Sequence, residues 1–153
     1  MSTATDADEQ TASIKWSDNF LLGYVPMDEL HKEFVELLDL LLQAPEEQVL
    51  TLLDALAKHT HEHFELENTW MERTQFPPRQ CHMDEHAAVL KSINEVRALV
   101  AEKHYENVPS LAQALADWFP GHATHLDSAL AHWMCKLSLG GKPVVLRRNI
   151  PLR

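Results

Sequence analysis

Residues 59–71 read HTHEHFELENTWM and residues 79–93 read RQCHMDEHAAVLKSI. In the first stretch His63 and Glu67 are four residues apart, and in the second His82 and His86 repeat that interval. Four residues is a little over one α-helical turn, so each pair projects from one helix face, where two side chains can share one ion. Taken alone, such a pair is most often a solvated surface contact. Its company argues otherwise. Val49, Leu52, Leu53, Leu56, Trp70 and Met71 share the stripe of His63 and Glu67, and Val89, Leu90, Ile93 and Val96 share that of His82 and His86. Both stripes have the helical period of a face turned toward a core.

Pro77 and Pro78 separate these two helices, because proline cannot continue the first but suits the opening turn of the next. Upstream, Phe34, Val35, Leu38 and Leu41 mark a helix from about Asp28 to Ala44 that carries His31 on its apolar face. The second helix then runs from Pro45 or Glu46 to about Gln75, and the third from Arg79 to about His104. A fourth runs from about Pro109 to Leu139, with Leu111, Leu115, Trp118, His122, Leu126, Leu130 and Trp133 on its stripe and Gly140 and Gly141 as its stop. Short connections make successive helices antiparallel neighbours, so the predicted fold is all-α: an up-down-up-down four-helix bundle with an N-terminal arm and a short C-terminal tail. The expected division is a disordered segment 1–13, a bundle over 14–139 and a basic tail over 140–153. Trp16, Phe20, Leu21, Leu22 and Tyr24 are too apolar to float free and should pack along the bundle.

Composition supports this reading. The 153 residues suffice for one domain with its own core, hydrophobic residues make up 45%, and only 4 glycines occur. A formal net charge of -10 argues against nucleic-acid and anionic-membrane partners. No apolar run reaches the roughly 18 residues of a spanning helix, and the polar, acidic start does not read as a signal peptide, so a cytoplasmic protein is expected. Cys81 and Cys135 show neither Cys-x-x-Cys spacing nor the density of a disulfide scaffold; both read as reduced thiols, and Cys81 as a small buried hydrophobe rather than a thiolate ligand.

Antiparallel packing places His31, His63, Glu67, His82 and His86 at one end of the bundle, with His122 and Asp127 of the fourth helix approaching the same layer. A buried polar group left unpaired costs roughly 1–3 kcal/mol, so seven of them would rival a domain's net stability of about 5–15 kcal/mol. They must pair with one another or bind metal. Imidazole and carboxylate without thiolate suit iron, zinc or copper, and seven ligands exceed what one such ion takes, so a dinuclear centre follows. Spacing alone leaves His125 open as a substitute for His122. His59, one turn before His63, is either a partner to the ligands or an ordinary boundary residue; His61, His104 and His132 read as solvent-facing. A zinc-protease helix is excluded, because Glu62 follows His61 but residue 65 is Glu.

Over about residues 16 to 138 the chain resembles the bacterial hemerythrins of the HHE cation-binding family. The match is carried by Trp16, the segment Gly23 to Lys32, His63, Phe64, Glu67, Met71, His82, His86, Trp118, His122 and Asp127. That resemblance implies two iron ions joined by an oxo or hydroxo bridge. His82, His86 and His122 would bind one iron, His31 and His63 the other, and Glu67 and Asp127 would bridge them, with dioxygen bound at the second iron. It also favours His122 over His125.

Several residues depart from the family's usual pattern. Pro120 lies inside the fourth helix two residues before His122, and the five-residue step from His122 to Asp127 would turn the second ligand about 140° from the first on an ideal helix, so local deformation is expected. Phe119 and Ala123 stand where leucine and isoleucine usually wall the oxygen pocket beside Trp118. Leu30 replaces a common glutamine, Asn68 follows Glu67 where a second acid is common, and Lys136 to Arg153 hold five of the 13 basic residues. The function expected is reversible dioxygen binding for storage, delivery or sensing, without turnover. The alternatives are a di-iron oxidoreductase acting on peroxide or nitric oxide, or a metal-storage bundle without oxygen chemistry.

Overall fold

The computed structural model describes residues 13–138; the expected disordered segment, the glycine stop and the basic tail lie almost wholly outside them. Among the described residues the secondary structure is entirely helical. A single 3-10 turn, Asp18–Phe20, precedes α1 (Val25–Leu42), α2 (Glu46–Arg73), α3 (Arg79–Ala101) and α4 (Val108–His122), and a π-helical turn, Ala123–Asp127, joins α4 to α5 (Ser128–Ser138). The last three elements form one continuous rod, so the architecture is the four-helix bundle that hydrophobic period indicates. α1 packs on α2, α2 on α3, and the fourth rod on α1 and α3. None of these helices is long and apolar enough to cross a membrane.

Helix ends differ from the sequence expectation by a few residues, each for a local reason. α1 begins earlier, at Val25, with Pro26 in its first turn, where a missing N–H costs nothing. α2 stops at Arg73 and α3 at Ala101 because Gln75 and Lys103 take left-handed backbone angles, φ 53° and 68°. Around each, two reversed hydrogen bonds close the helix: Phe76 N to Met71 O (2.9 Å) with Gln75 N to Glu72 O (3.3 Å), and His104 N to Leu99 O (2.9 Å) with Lys103 N to Val100 O (2.9 Å). This termination normally recruits glycine, so non-glycine residues conceal it in the sequence.

The interior has two apolar clusters. The larger centres on Phe34, Leu38, Leu53, Leu56, Phe64, Ile93 and Phe119, and the smaller comprises Met27, Met71, Phe76, Leu130 and Ala131. His31, His63, Glu67, His82, His86, His122 and Asp127 are buried between them. The N-terminal arm folds over this region. Trp16 stacks on Phe20 at 5.5 Å, Phe20 meets Phe119 at 5.4 Å, and Tyr24 meets Trp70 at 5.3 Å. Asp28 fastens the arm, its carboxylate accepting from Leu22 N (2.8 Å) and Gly23 N (3.1 Å). Gly23 has φ +89°, a backbone angle that strains any L side chain. Leu21, expected to pack, is instead exposed. Cys81 is also a correction: it lies on the outer face of α3, exposed, because its neighbour His82 takes the inward position.

Candidate metal centre

Each helix contributes by its own periodicity. α1 presents His31 one turn below Met27 and three residues before Phe34, all on its buried face. α2 presents His63 and Glu67, and α3 presents His82 and His86, at the four-residue interval that keeps both side chains on one face. The fourth rod has to solve a five-residue interval. Its π-helical turn spans the five residues Ala123–Asp127, closing hydrogen bonds one residue later than an α-turn. Ser128 N bonds to Ala123 O in consequence, and His122 Nε2 and Asp127 Oδ1 stand 3.1 Å apart. The expected deformation is therefore this wide turn. Pro120 lies upstream of it within a continuous α4, on the exposed side.

All five imidazoles aim Nε2 into one space, and the two carboxylates divide their oxygens across it. Glu67 turns Oε2 toward His63 (2.5 Å) and His31 (3.6 Å), and Oε1 toward His86 (3.3 Å) and His82 (3.5 Å). Asp127 turns Oδ2 toward His31 (2.9 Å) and Oδ1 toward His82 (2.8 Å). Each carboxylate thus has one oxygen for each half of the cage. Geometric hydrogen bonds do not account for this convergence: Nε2 of His31, His82, His86 and His122, Glu67 Oε1 and Asp127 Oδ1 are all buried without a hydrogen-bond partner. Since buried polar atoms are almost always satisfied, lone pairs gathered in this way are what a metal centre requires. Ligand atoms of Glu67, His82, His86, His122 and Asp127 lie within 4.8 Å of one another, and so do those of His31, His63 and Glu67, giving two adjoining donor groups.

The donors set one another's charge. Burial alone would raise the carboxyls and lower the imidazoles. Instead the positive pull of His63 and the closeness of His31 and His82 hold Glu67 well below the usual carboxylate range. Asp127 is likewise lowered by His122, His31 and His82, against both burial and its repulsion from Glu67. His31 and His82 rise to about 9 because Asp127 and Glu67 outweigh their burial. His86 falls, chiefly through burial.

Around the donors stands a ring of supports; sequence reasoning missed Glu85 altogether and named Asn68, Phe64 and Trp118 without seeing this role. His86 Nδ1 meets Asn68 Oδ1 at 2.8 Å, and Glu85 Oε1 accepts from His122 Nδ1 (2.8 Å) and Trp118 Nε1 (2.7 Å). Phe64 lies flat on His86 with centroids 3.9 Å apart, and Trp118 stacks on His122 at 4.3 Å. A usable signal existed, because the indole N–H of Trp118 and the outer nitrogens of inward-facing histidines each need an acceptor. Of the residues expected to wall a pocket, Phe119 stands edge-on to His31 at 5.3 Å, Ala123 is buried in the same cluster, and Trp118 lies on the opposite, His122 side. His59 hangs from α1 through Leu30 O (3.1 Å) and Glu33 (3.3 Å), while His125 and His61 are exposed.

Comparison with known proteins agrees with this geometry. Residues 22–133 match the family model of the hemerythrin HHE cation binding domain. The chain belongs to the hemerythrin family. It is 36% identical over 123 residues to a bacteriohemerythrin of Ralstonia nicotianae, covering 80% of this chain and 90% of that hemerythrin. It is 27% identical over 135 residues to a bacteriohemerythrin of Pseudomonas paraeruginosa, covering 82% and 87% respectively. Hemerythrin membership implies a di-iron site, and the buried imidazole-carboxylate cage is a donor set that suits one.

Proposed function

We propose that this protein is a di-iron dioxygen carrier or sensor that binds the gas reversibly at the His31 and His63 half of the cage. The observation that carries this reading is the unequal division of donors: three imidazoles converge on one side of Glu67 and Asp127 and two on the other. His82, His86 and His122 would hold one iron and His31 and His63 the other, with Glu67 and Asp127 offering an oxygen to each, so the two-imidazole half, having fewer side-chain donors, is where dioxygen would bind. Held by these seven residues, two irons would supply the two electrons that dioxygen takes up on binding and returns on release.

The chain's own residues set the conditions. His82, His86 and His122 converge on one side and would leave an ion held there little room for a further ligand. Phe34 and Phe119 face the rings of His31 and His63, with Phe34 and Phe119 5.3 Å apart, so the open side is walled by aromatic carbon. An apolar wall excludes water, which favours binding over catalysis. Location in the cytoplasm suits such a role and is part of the proposal.

The test is oxygen titration of the reduced, iron-loaded chain. Two irons per chain and a visible band that appears with oxygen and vanishes on purging are expected. Sustained consumption of peroxide or nitric oxide would replace the carrier with an oxidoreductase, and iron that never responds to oxygen would leave a storage bundle.

A further inference from the structure

The two halves of the cage are supported unequally. On the three-histidine side, Glu85 Oε1 receives His122 Nδ1 at 2.8 Å and Asn68 Oδ1 lies 2.8 Å from His86 Nδ1. A carboxylate only accepts, so His122 carries its proton on Nδ1 and offers a bare Nε2 to the cage. Trp118 holds Glu85 from the other side at 2.7 Å and lies over the face of His122, while Phe64 lies over His86. Nδ1 of His82, the third ring on that side, is buried with no hydrogen-bond partner, but on the two-histidine side, among the described residues, both rings lack one: Nδ1 of His31 and Nδ1 of His63 are buried and unpartnered. Neither ring has an acceptor to fix its tautomer, and an ion arriving there must select both tautomer and orientation.

We propose that the cage loads in sequence, with the His82, His86 and His122 half taking its ion first and holding it more tightly, and that Glu85 is the positioning residue responsible. This rests on the dinuclear reading above and adds an order to it. Donor count acts in the same direction, since the two carboxylates are shared and three imidazoles gather on the first side against two on the second. Glu85 is suited to the task by its place on α3: it directly precedes His86, and its side chain is 37% exposed in the seam between α3 and α4. There it lines a groove of about 500 Å³ with Ala88, Val89, Leu111, Leu115 and Trp118. A residue at the wall of an open groove can be replaced without emptying the core, which separates positioning from folding.

The test uses the full-length chain loaded with Co²⁺, whose visible bands report each occupied half, in equilibrium with increasing concentrations of a chelator. The wild-type chain should release two ions in two separate steps, the second at a chelator concentration at least about tenfold higher, the scale on which outer partners alter affinity. In Glu85→Ala the tighter step should weaken by about 10- to 100-fold while the weaker step stays in place. Glu85→Gln, which keeps the packing, should shift the same step in the same direction by less. The double variant His31→Ala/His63→Ala should retain one ion at the wild-type tight affinity. Two ions leaving wild type in one indistinguishable step would overturn the order of loading, and so would a Glu85→Ala chain with an unmoved tight step or with both steps moved equally. A wild-type chain that holds only one ion would instead overturn the dinuclear reading.

Discussion

Burial opposes charge on His31 and His82, yet the carboxylates of Asp127 and Glu67 lift both rings to about 9. In the metal-free protein these two groups therefore bind protons more tightly folded than unfolded. The stability they contribute is fully present below their unfolded value of 6.5 and is lost as pH rises through about 9. Glu67 and Asp127, held low, contribute stability above the ordinary carboxylate range that is lost only in stronger acid. His86, lowered, works against the fold as pH drops below 6.5. The metal-free chain should thus be most stable slightly below neutrality, and its melting temperature should fall by several degrees between pH 6.5 and 9. Bound ions displace those protons, so the loaded chain should show no such fall. Thermal melts of both forms across this interval check the sign, and a metal-free melting temperature that climbs toward pH 9 would contradict it. Six residues of the cage were legible in the sequence because each lies on a stripe that must be buried, whereas Asp127 stands off the stripe of His122 and was picked out by the family resemblance. Glu85 and Asn68 were not legible, since each follows or precedes a donor by one residue and stands off that stripe. Period identifies what faces inward, not which half-exposed side chain turns back to catch an outer nitrogen.

Among the elements, helix termini and the wide turn in the fourth rod depend on backbone angles more than on side-chain pattern. Lys103 closes α3 at φ 68°, a conformation that costs a non-glycine residue roughly 1–2 kcal/mol. Lys103→Gly removes that strain and adds freedom to the unfolded chain, for a net gain of about 0.5–1 kcal/mol. A melting temperature higher by about 2–4 °C in the loaded protein is the expected reading. The turn Ala123–Asp127 contains one residue more than an α-turn would need. Deleting the exposed Thr124 should convert it to an α-turn with His122 and Asp127 four positions apart, the interval at which His63 and Glu67 already work. Metal stoichiometry should survive that deletion. Removing Thr124 and His125 together should swing Asp127 by about 100° and lose the ion pair. Metal analysis of the two deletions distinguishes them, and equal losses would mean that the wide turn serves more than register. The five-residue interval signalled this deformation in advance, whereas the left-handed ends of α2 and α3 carried no glycine to announce them.

At the scale of the whole molecule, the bundle isolates a polar cage between two apolar clusters, and the N-terminal arm completes the enclosure on the His31 side. A chain of rings runs inward from Trp16 to Phe20 at 5.5 Å, to Phe119 at 5.4 Å and to His31 at 5.3 Å. Sequence composition showed that the arm's aromatic residues must pack, but only the three-dimensional arrangement shows that they pack over the half of the cage proposed to open to dioxygen. Phe20 is half-buried, and its ring contacts are with Trp16 and Phe119. Phe20→Ala should therefore cost only part of the roughly 3–5 kcal/mol of a fully buried phenylalanine and leave two ions per chain. Its effect should fall on water exclusion. With that ring gone, solvent reaches the outer side of Phe119, and the visible oxygen band should decay several-fold faster than in wild type at the same metal content. A lifetime unchanged in a variant that binds fewer ions would assign the arm to folding rather than to closure, because the packing loss would then appear in assembly of the cage and not in the life of what it holds.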